Sequence, residues 1–287
     1  MSPDVVEEVV LSLSCPDRPG IVHAVTGYIM ERGGDIVDSQ QFGDRASGRF
    51  FMRVHMRFAE AAELSELQAG FTSIADPLAM EWSLTSADHR PRVMIMVSRF
   101  GHCLNDLLFR WHSGQLHIDI PLIVSNHTDL EPLATTYGIP FVHLPITQAT
   151  KPEAEARRLS LIEENDVELV VLARYMQILS DDLCRQLAGR AINIHHSFLP
   201  GFKGAKPYHQ AYERGVKLVG ATAHYVTADL DEGPIIEQEV HRVSHALSAD
   251  ELVVAGRDAE CIALAHAVQW HAERRVLLNG SRTVVFP

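Results

Sequence analysis

The chain has 287 residues, 46% of them hydrophobic, enough to fill one large core or two ordinary ones. Its 25 Lys and Arg against 37 Asp and Glu leave a net charge of -12, which disfavours a nucleic-acid partner, because phosphate-backbone binding needs clustered cations. The N-terminal stretch MSPDVVEEVVLSLSCPDRPG lacks the basic and long apolar segments of a signal peptide, and no apolar run approaches the ~20 residues that span a bilayer; a soluble, cytoplasmic protein without a membrane partner is expected.

In chain order, Val9, Leu11 and Leu13 alternate as a strand, and Ile21, Val22, Val25 and Ile29 recur at helical spacing. A strand is expected at Asp35 to Phe42, and Phe50, Met52, Val54, Met56 and Phe58 alternate over another. Leu64, Leu67, Phe71 and Ile74 mark a second amphipathic helix, and Leu78, Met80, Trp82 and Leu84 a last strand. The order βαββαβ predicts a ferredoxin-like unit over residues 1–86. Residues 87–91 read as a polar link.

Beyond the link, apolar strands alternate with helices: Val93 to Val97, Leu104 to Trp111, Ile120 to Val124, Phe141 to Leu144, Glu153 to Glu164 and Leu169 to Leu172. Uninterrupted apolar strands of this kind predict an α/β domain over residues 92–287, with a mostly parallel sheet covered on both faces and ligands at the strands' C-terminal ends. A long helix is expected from Ala249 to Leu277, followed by a short tail.

Four cysteines lie far apart without a CxxC pair, so reduced thiols are expected. Sixteen histidines form no HExxH, adjacent His195 and His196 should face opposite sides of a strand, and no metal is expected. The chemistry concentrates in INIHHSFLPGFKGAKPYHQAYERGVKLVGATAHYVTADLDEGPIIEQ. Residues i and i+2 of a strand share a face, so Asn193 and His195 are displayed together at a strand end, and Asp231 in Leu-Asp-Glu-Gly-Pro supplies a third group. An amide donor beside an imidazole suits attack on a carbonyl, the amide stabilising the developing oxyanion while His195 and Asp231 handle the proton; which of the two is the base stays open.

The runs Ser-Phe-Leu-Pro-x-x-Lys-Gly-Ala-x-Pro and His-Tyr-Val-Thr-x-x-Leu-Asp-Glu-Gly-Pro-Ile-Ile resemble the signature of formyl transfer enzymes that use 10-formyltetrahydrofolate. The resemblance implies a Rossmann-like formyltransferase domain, a catalytic set of Asn193, His195 and Asp231, and a folate pocket that includes the loop Leu172 to Leu179, with Arg174, Tyr175, Met176, Gln177 and Leu179 at the substrate, joined by Gly204. The turn Asp17-Arg18-Pro19-Gly20-Ile21 resembles the ligand loop of ACT domains, which implies an amino-acid effector at Asp17, Arg18, Gly20 and Ile21, with a purely structural oligomerisation module as the alternative, and a homo-oligomer, a tetramer or hexamer built from dimers.

Where a glycinamide ribonucleotide transformylase carries a Gly-rich phosphate turn, this chain reads Ser-Arg-Phe-Gly-His-Cys-Leu-Asn-Asp from Ser98, with His102 and Cys103 near the substrate. The whole chain thus resembles the formyltetrahydrofolate deformylases, which implies hydrolysis of 10-formyltetrahydrofolate to tetrahydrofolate and formate with no cofactor. Transfer to another acceptor, cysteine amidase chemistry through Cys103, and a non-catalytic folate sensor remain the alternatives.

Overall fold

The computed structural model describes residues 5–199 and 207–287. They form two compact units, residues 1–89 with 273–287 and residues 90–272.

The first unit contains β1 (Val5–Pro16), α1 (Ile21–Glu31), β2 (Gly34–Asp44), β3 (Arg49–Glu63), α2 (Leu64–Ala75) and β4 (Glu81–Ser86). The strands form one antiparallel sheet in the order β2-β3-β1-β4, as the βαββαβ pattern predicts. Alternation makes one sheet face apolar: Val9, Leu11 and Leu13 of β1 and Met52, Val54 and Met56 of β3 share a buried core with Ile21, Val25 and Ile29 of α1 and Phe71 of α2. β2 is an edge strand that exposes Ile36, Val37 and Phe42.

The second unit runs β5 (Arg92–Val97), α3 (His102–His112), β6 (Asp119–Ser125), α4 (Glu131–Thr136), β7 (Phe141–His143), α5 (Lys151–Glu164), β8 (Leu169–Leu172), α6 (Asp181–Gln186), β9 (Ala191–His195), α7 (Pro207–Arg214), β10 (Leu218–Tyr225), β11 (Ile235–Arg242) and α8 (Ala249–Ala272). Its seven-stranded sheet has the order β11-β10-β9-β8-β5-β6-β7, parallel from β9 to β7 and antiparallel at β10 and β11. The interior strands are buried on both faces, which is why they read as continuous apolar runs. Strand order reverses between β5 and β8, and the segments that follow these strands leave the sheet at a crevice of the kind where α/β folds take ligands. A capping box starts α8: the Ser248 backbone N–H donates to Glu251 Oε2 at 2.7 Å, and the Glu251 N–H returns to Ser248 Oγ at 3.3 Å. No helix among the described residues is long and apolar enough to cross a membrane.

The expectations of a second domain running unbroken to residue 287, and of a helix continuing to Leu277, are corrected here. Helix α8 stops at Ala272, Arg274 takes a left-handed φ of 56°, and residues 273–287 fold as a hairpin, β12 (Val276–Asn279) with β13 (Arg282–Val285), that belongs to the first unit. The buried Asp44 carboxylate at the end of β2 holds it there, accepting from Asn279 Nδ2 at 2.8 Å and Arg282 Nη2 at 2.9 Å. Arg53 of β3 donates to the Glu273 carbonyl at 3.1 Å.

Candidate active site

Strand β9 ends at His195, and Asn193 and His195 both line a cavity of about 240 Å³ at its C-terminal end. The antiparallel register of β10 sets His224 directly across from Asn193. His224 Nδ1 lies 2.8 Å from the Tyr225 carbonyl, which can only accept, so Nδ1 carries the proton and Nε2 in the neutral ring is an acceptor. The Asn193 Nδ2 amide donates to that Nε2 at 3.2 Å, which fixes the amide's orientation and leaves its second N–H for a ligand.

Asp231 reaches the same cavity from the β10–β11 turn, where it adopts a left-handed φ of 58°. The turn closes tightly: a Cβ on Gly233 would stand 1.7 Å from the Tyr225 carbonyl oxygen, so only glycine fits. Asp231 Oδ2 lies 3.2 Å from His195 Nδ1, which places the neutral imidazole's proton on Nδ1 and its lone pair on Nε2. That Nε2 is buried and has no hydrogen-bond partner among the described residues. Burial alone would raise the pKa of Asp231 toward the neutral form, but the hydrogen bond from His195 outweighs it and holds the carboxyl well below the usual carboxylate range. His224 Nε2, 3.7 Å from Asp231 Oδ1, is too far away to hydrogen-bond it.

His196 departs from the strand expectation. Because β9 ends at His195, the next ring is not turned to the opposite face but lies 5.1 Å from the His195 ring, centroid to centroid, on the wall of the same cavity. Burial first, then the nearby Arg174 guanidinium, push its pKa down to about 4 and keep it neutral at physiological pH.

The loop after β8 supplies the facing wall, with Arg174, Tyr175, Met176, Gln177 and Leu179 all lining the cavity. Arg174 takes a left-handed φ of 63° as the chain leaves the strand. The Met176 N–H donates to Ser98 Oγ at 3.1 Å, and that hydroxyl donates to Asn126 Oδ1 at 2.7 Å.

His102 and Cys103, expected near the substrate, are not among the cavity's lining residues. They open α3, whose first turn faces α8: His102 Nε2 pairs with Glu260 Oε2 at 2.8 Å, and Cys103 is fully buried. Its hydrogen bond with Cys261, then burial, push the Cys103 thiol well up, so the reactive thiolate that an amidase needs is disfavoured. Glu260 also accepts from Tyr208 OH at 3.0 Å and lies 3.3 Å from Arg174 Nε. The ligand atoms of His102, Cys103 and Glu260 lie within 4.8 Å of one another, a grouping that sequence spacing did not announce, yet the carboxylate is already committed to a guanidinium, an imidazole and a phenol. Gly204 lies outside the described residues.

In the first unit, the Asp17 N–H donates to the Gly48 carbonyl at 2.8 Å, the Arg18 guanidinium donates to the Pro77 carbonyl, and Gly20 begins α1 with φ 96°. The Ile21 side chain is buried in the core instead of facing the turn. A cavity of about 410 Å³ lies at the other end of β1, lined by Val6, Leu64, Gln68, Leu84, Ser86 and His89.

The two units and the site define a class of protein. Residues 9–69 match the ACT domain and residues 91–268 the formyl transferase domain. The chain is 55% identical over 277 residues to the formyltetrahydrofolate deformylase of a Corynebacterium species, covering 96% of this chain and 97% of that protein. The solved structure of the Burkholderia mallei formyltetrahydrofolate deformylase is 53% identical and superposes with a TM-score of 0.94, covering 98% of this chain and 100% of the other. A glycinamide ribonucleotide transformylase from Symbiobacterium toebii, 30% identical with a TM-score of 0.64, covers only 69% of this chain and 95% of its own. The chain therefore belongs to the formyltetrahydrofolate deformylase family.

Proposed function

We propose that this chain hydrolyses 10-formyltetrahydrofolate to tetrahydrofolate and formate, with Asn193, His195 and Asp231 as its catalytic set. The observation that carries the reading is the buried Nε2 of His195, without a partner among the described residues, turned to a base by the bond of Nδ1 to Asp231 in a residue that lines the cavity with Asn193. His195 Nε2 takes a proton from water as the water oxygen bonds to the formyl carbon. The formyl oxygen becomes an oxyanion and accepts from the free N–H of Asn193, an interaction worth ~3 to 4 kcal/mol where such donors have been removed. The ionised Asp231 stabilises the imidazolium. When the carbon–N10 bond breaks, the imidazolium returns its proton to N10, and the formic acid released ionises in solvent. Every step draws on these side chains and water, so the reading calls for no cofactor or metal.

The wall from Arg174 to Leu179 would take the pterin, its backbone groups reading the ring edge. The burial of Cys103 favours direct attack by water over a formyl thioester. In the first unit, the turn of Asp17, Arg18, Gly20 and Ile21 would take an amino-acid carboxylate, with the N–H groups that open α1 as donors. The exposed β2 edge, with Ile36, Val37 and Phe42, suits pairing with a second copy, from which a tetramer or hexamer would be built in the cytoplasm. The deciding experiment mixes the pure protein with 10-formyltetrahydrofolate and no acceptor. Stoichiometric formate and tetrahydrofolate are expected; turnover only on addition of glycinamide ribonucleotide would make the protein a transferase, and binding without turnover a sensor.

A further inference from the structure

The loop at residues 173–180 has no regular secondary structure, yet it forms a wall of the reacting cavity, where small displacements matter most. Beyond the Ser98 prop on Met176, it is held at both ends by one helix. Ser180 at the far end donates its N–H to Glu155 Oε1 at 2.8 Å. Tyr175 at the near end accepts on its hydroxyl from Arg158 Nη2 at 2.7 Å, and the same guanidinium lies 5.5 Å from the Tyr175 ring centroid. Glu155 and Arg158 stand three residues apart on α5 and so share its inner face.

Both are buried, Arg158 to 2% exposure, and its Nε has no hydrogen-bond partner among the described residues. Taking a guanidinium out of water is expensive, and apolar packing at such a position is often neutral or stabilising by comparison. The charge is instead directed onto a phenol on the cavity wall. Burial first, with the neighbouring charges of Arg158 and Glu155, leaves that phenol's pKa at about 12, so its hydroxyl stays protonated and keeps a lone pair for Arg158.

We propose that Glu155 and Arg158 are positioning residues that clamp the cavity loop at Tyr175 and Ser180 and thereby set the wall against which the flat pterin lies. The proposal rests on the folate reading of the cavity. Neither residue touches substrate; both act through the loop.

The test compares wild type with Arg158→Gln, Arg158→Lys, Tyr175→Phe and the double variant Arg158→Gln/Tyr175→Phe, measuring KM and kcat for 10-formyltetrahydrofolate, the Kd of tetrahydrofolate and the melting temperature. In Arg158→Gln, KM and Kd should rise roughly tenfold while kcat falls by much less, the mark of lost binding rather than lost transition-state stabilisation. Arg158→Lys should recover part of the loss. Tyr175→Phe removes the same bond without touching the charge, so it should raise KM even if Arg158→Gln does not fold, and the double variant should be no worse than the worse single one. An unchanged KM with lower stability, or additive effects in the double variant, would reduce the pair to core packing. If wild type binds no tetrahydrofolate, the folate reading falls as well; if wild type binds and the variants bind equally, only the clamp falls.

Discussion

Asn193 and Asp231 meet His195 and its cavity through different contacts, yet removing either should weaken the chemistry rather than the binding. Asn193→Ala deletes the proposed oxyanion donor and Asp231→Asn the partner of His195 Nδ1; each should cut kcat by ~100-fold or more with folate affinity within a few-fold, because on the proposed mechanism the lost interactions strengthen mainly in the transition state. Steady-state kinetics with tetrahydrofolate binding separates the two effects, and a large loss of affinity at unchanged turnover would move these residues from chemistry to binding. Cys103→Ala, by contrast, should keep most of the activity, since the buried thiol faces Cys261 and α8; a trapped formyl thioester in wild type would reverse that reading. The alternation of β9 made Asn193 and His195 legible as a pair. His196 was not, because alternation ends where the strand ends, and His224 becomes a partner of Asn193 only through the β9–β10 register, which no local pattern encodes.

At the scale of elements, the strands of both sheets were visible as alternating or continuous apolar runs, whereas the end of α8 was not. Nothing between Ala272 and Leu278 breaks a helix in the sequence, where Glu273, Arg274 and Arg275 are good helix formers; the turn is marked only further on by Asn279-Gly280, and the stop at Ala272 depends on the hairpin's capture by the first unit. Asp44 is the residue that captures it. The bonds from Ser47, Asn279 and the Ala46 N–H, together with Arg282, lower its pKa to about 2. A carboxyl with a depressed folded-state pKa stabilises the fold above its unfolded value of about 3.9 and loses that contribution as pH falls toward about 2. Thermal melting should therefore show wild type above Asp44→Asn at pH 6, with the gap closing between pH ~4 and ~2. A gap independent of pH would mean that Asp44 acts by shape alone.

For the whole molecule, the exposed β2 edge makes assembly the first property to test. Unpaired edge groups flanked by exposed Ile36, Val37 and Phe42 invite strand addition, and a charge there opposes it. Phe42→Asp should shift the mass measured by light scattering to a smaller species; an unchanged mass would locate the interface elsewhere. The Gly20 turn, proposed above for an amino-acid carboxylate, and the cavity beside Gln68 lie at opposite ends of β1, so a ligand bound at either would act on such an assembly through the same strand.

The return of residues 273–287 to the first unit also orders events during synthesis. The ribosome delivers all of the catalytic unit before the segment that completes the ACT unit, so the catalytic fold can form while its neighbour still lacks a hairpin and Asp44 its partners. The β2 edge strand is thus attached to a unit that is completed after the catalytic one, and any assembly through that edge would wait until residues 273–287 have emerged.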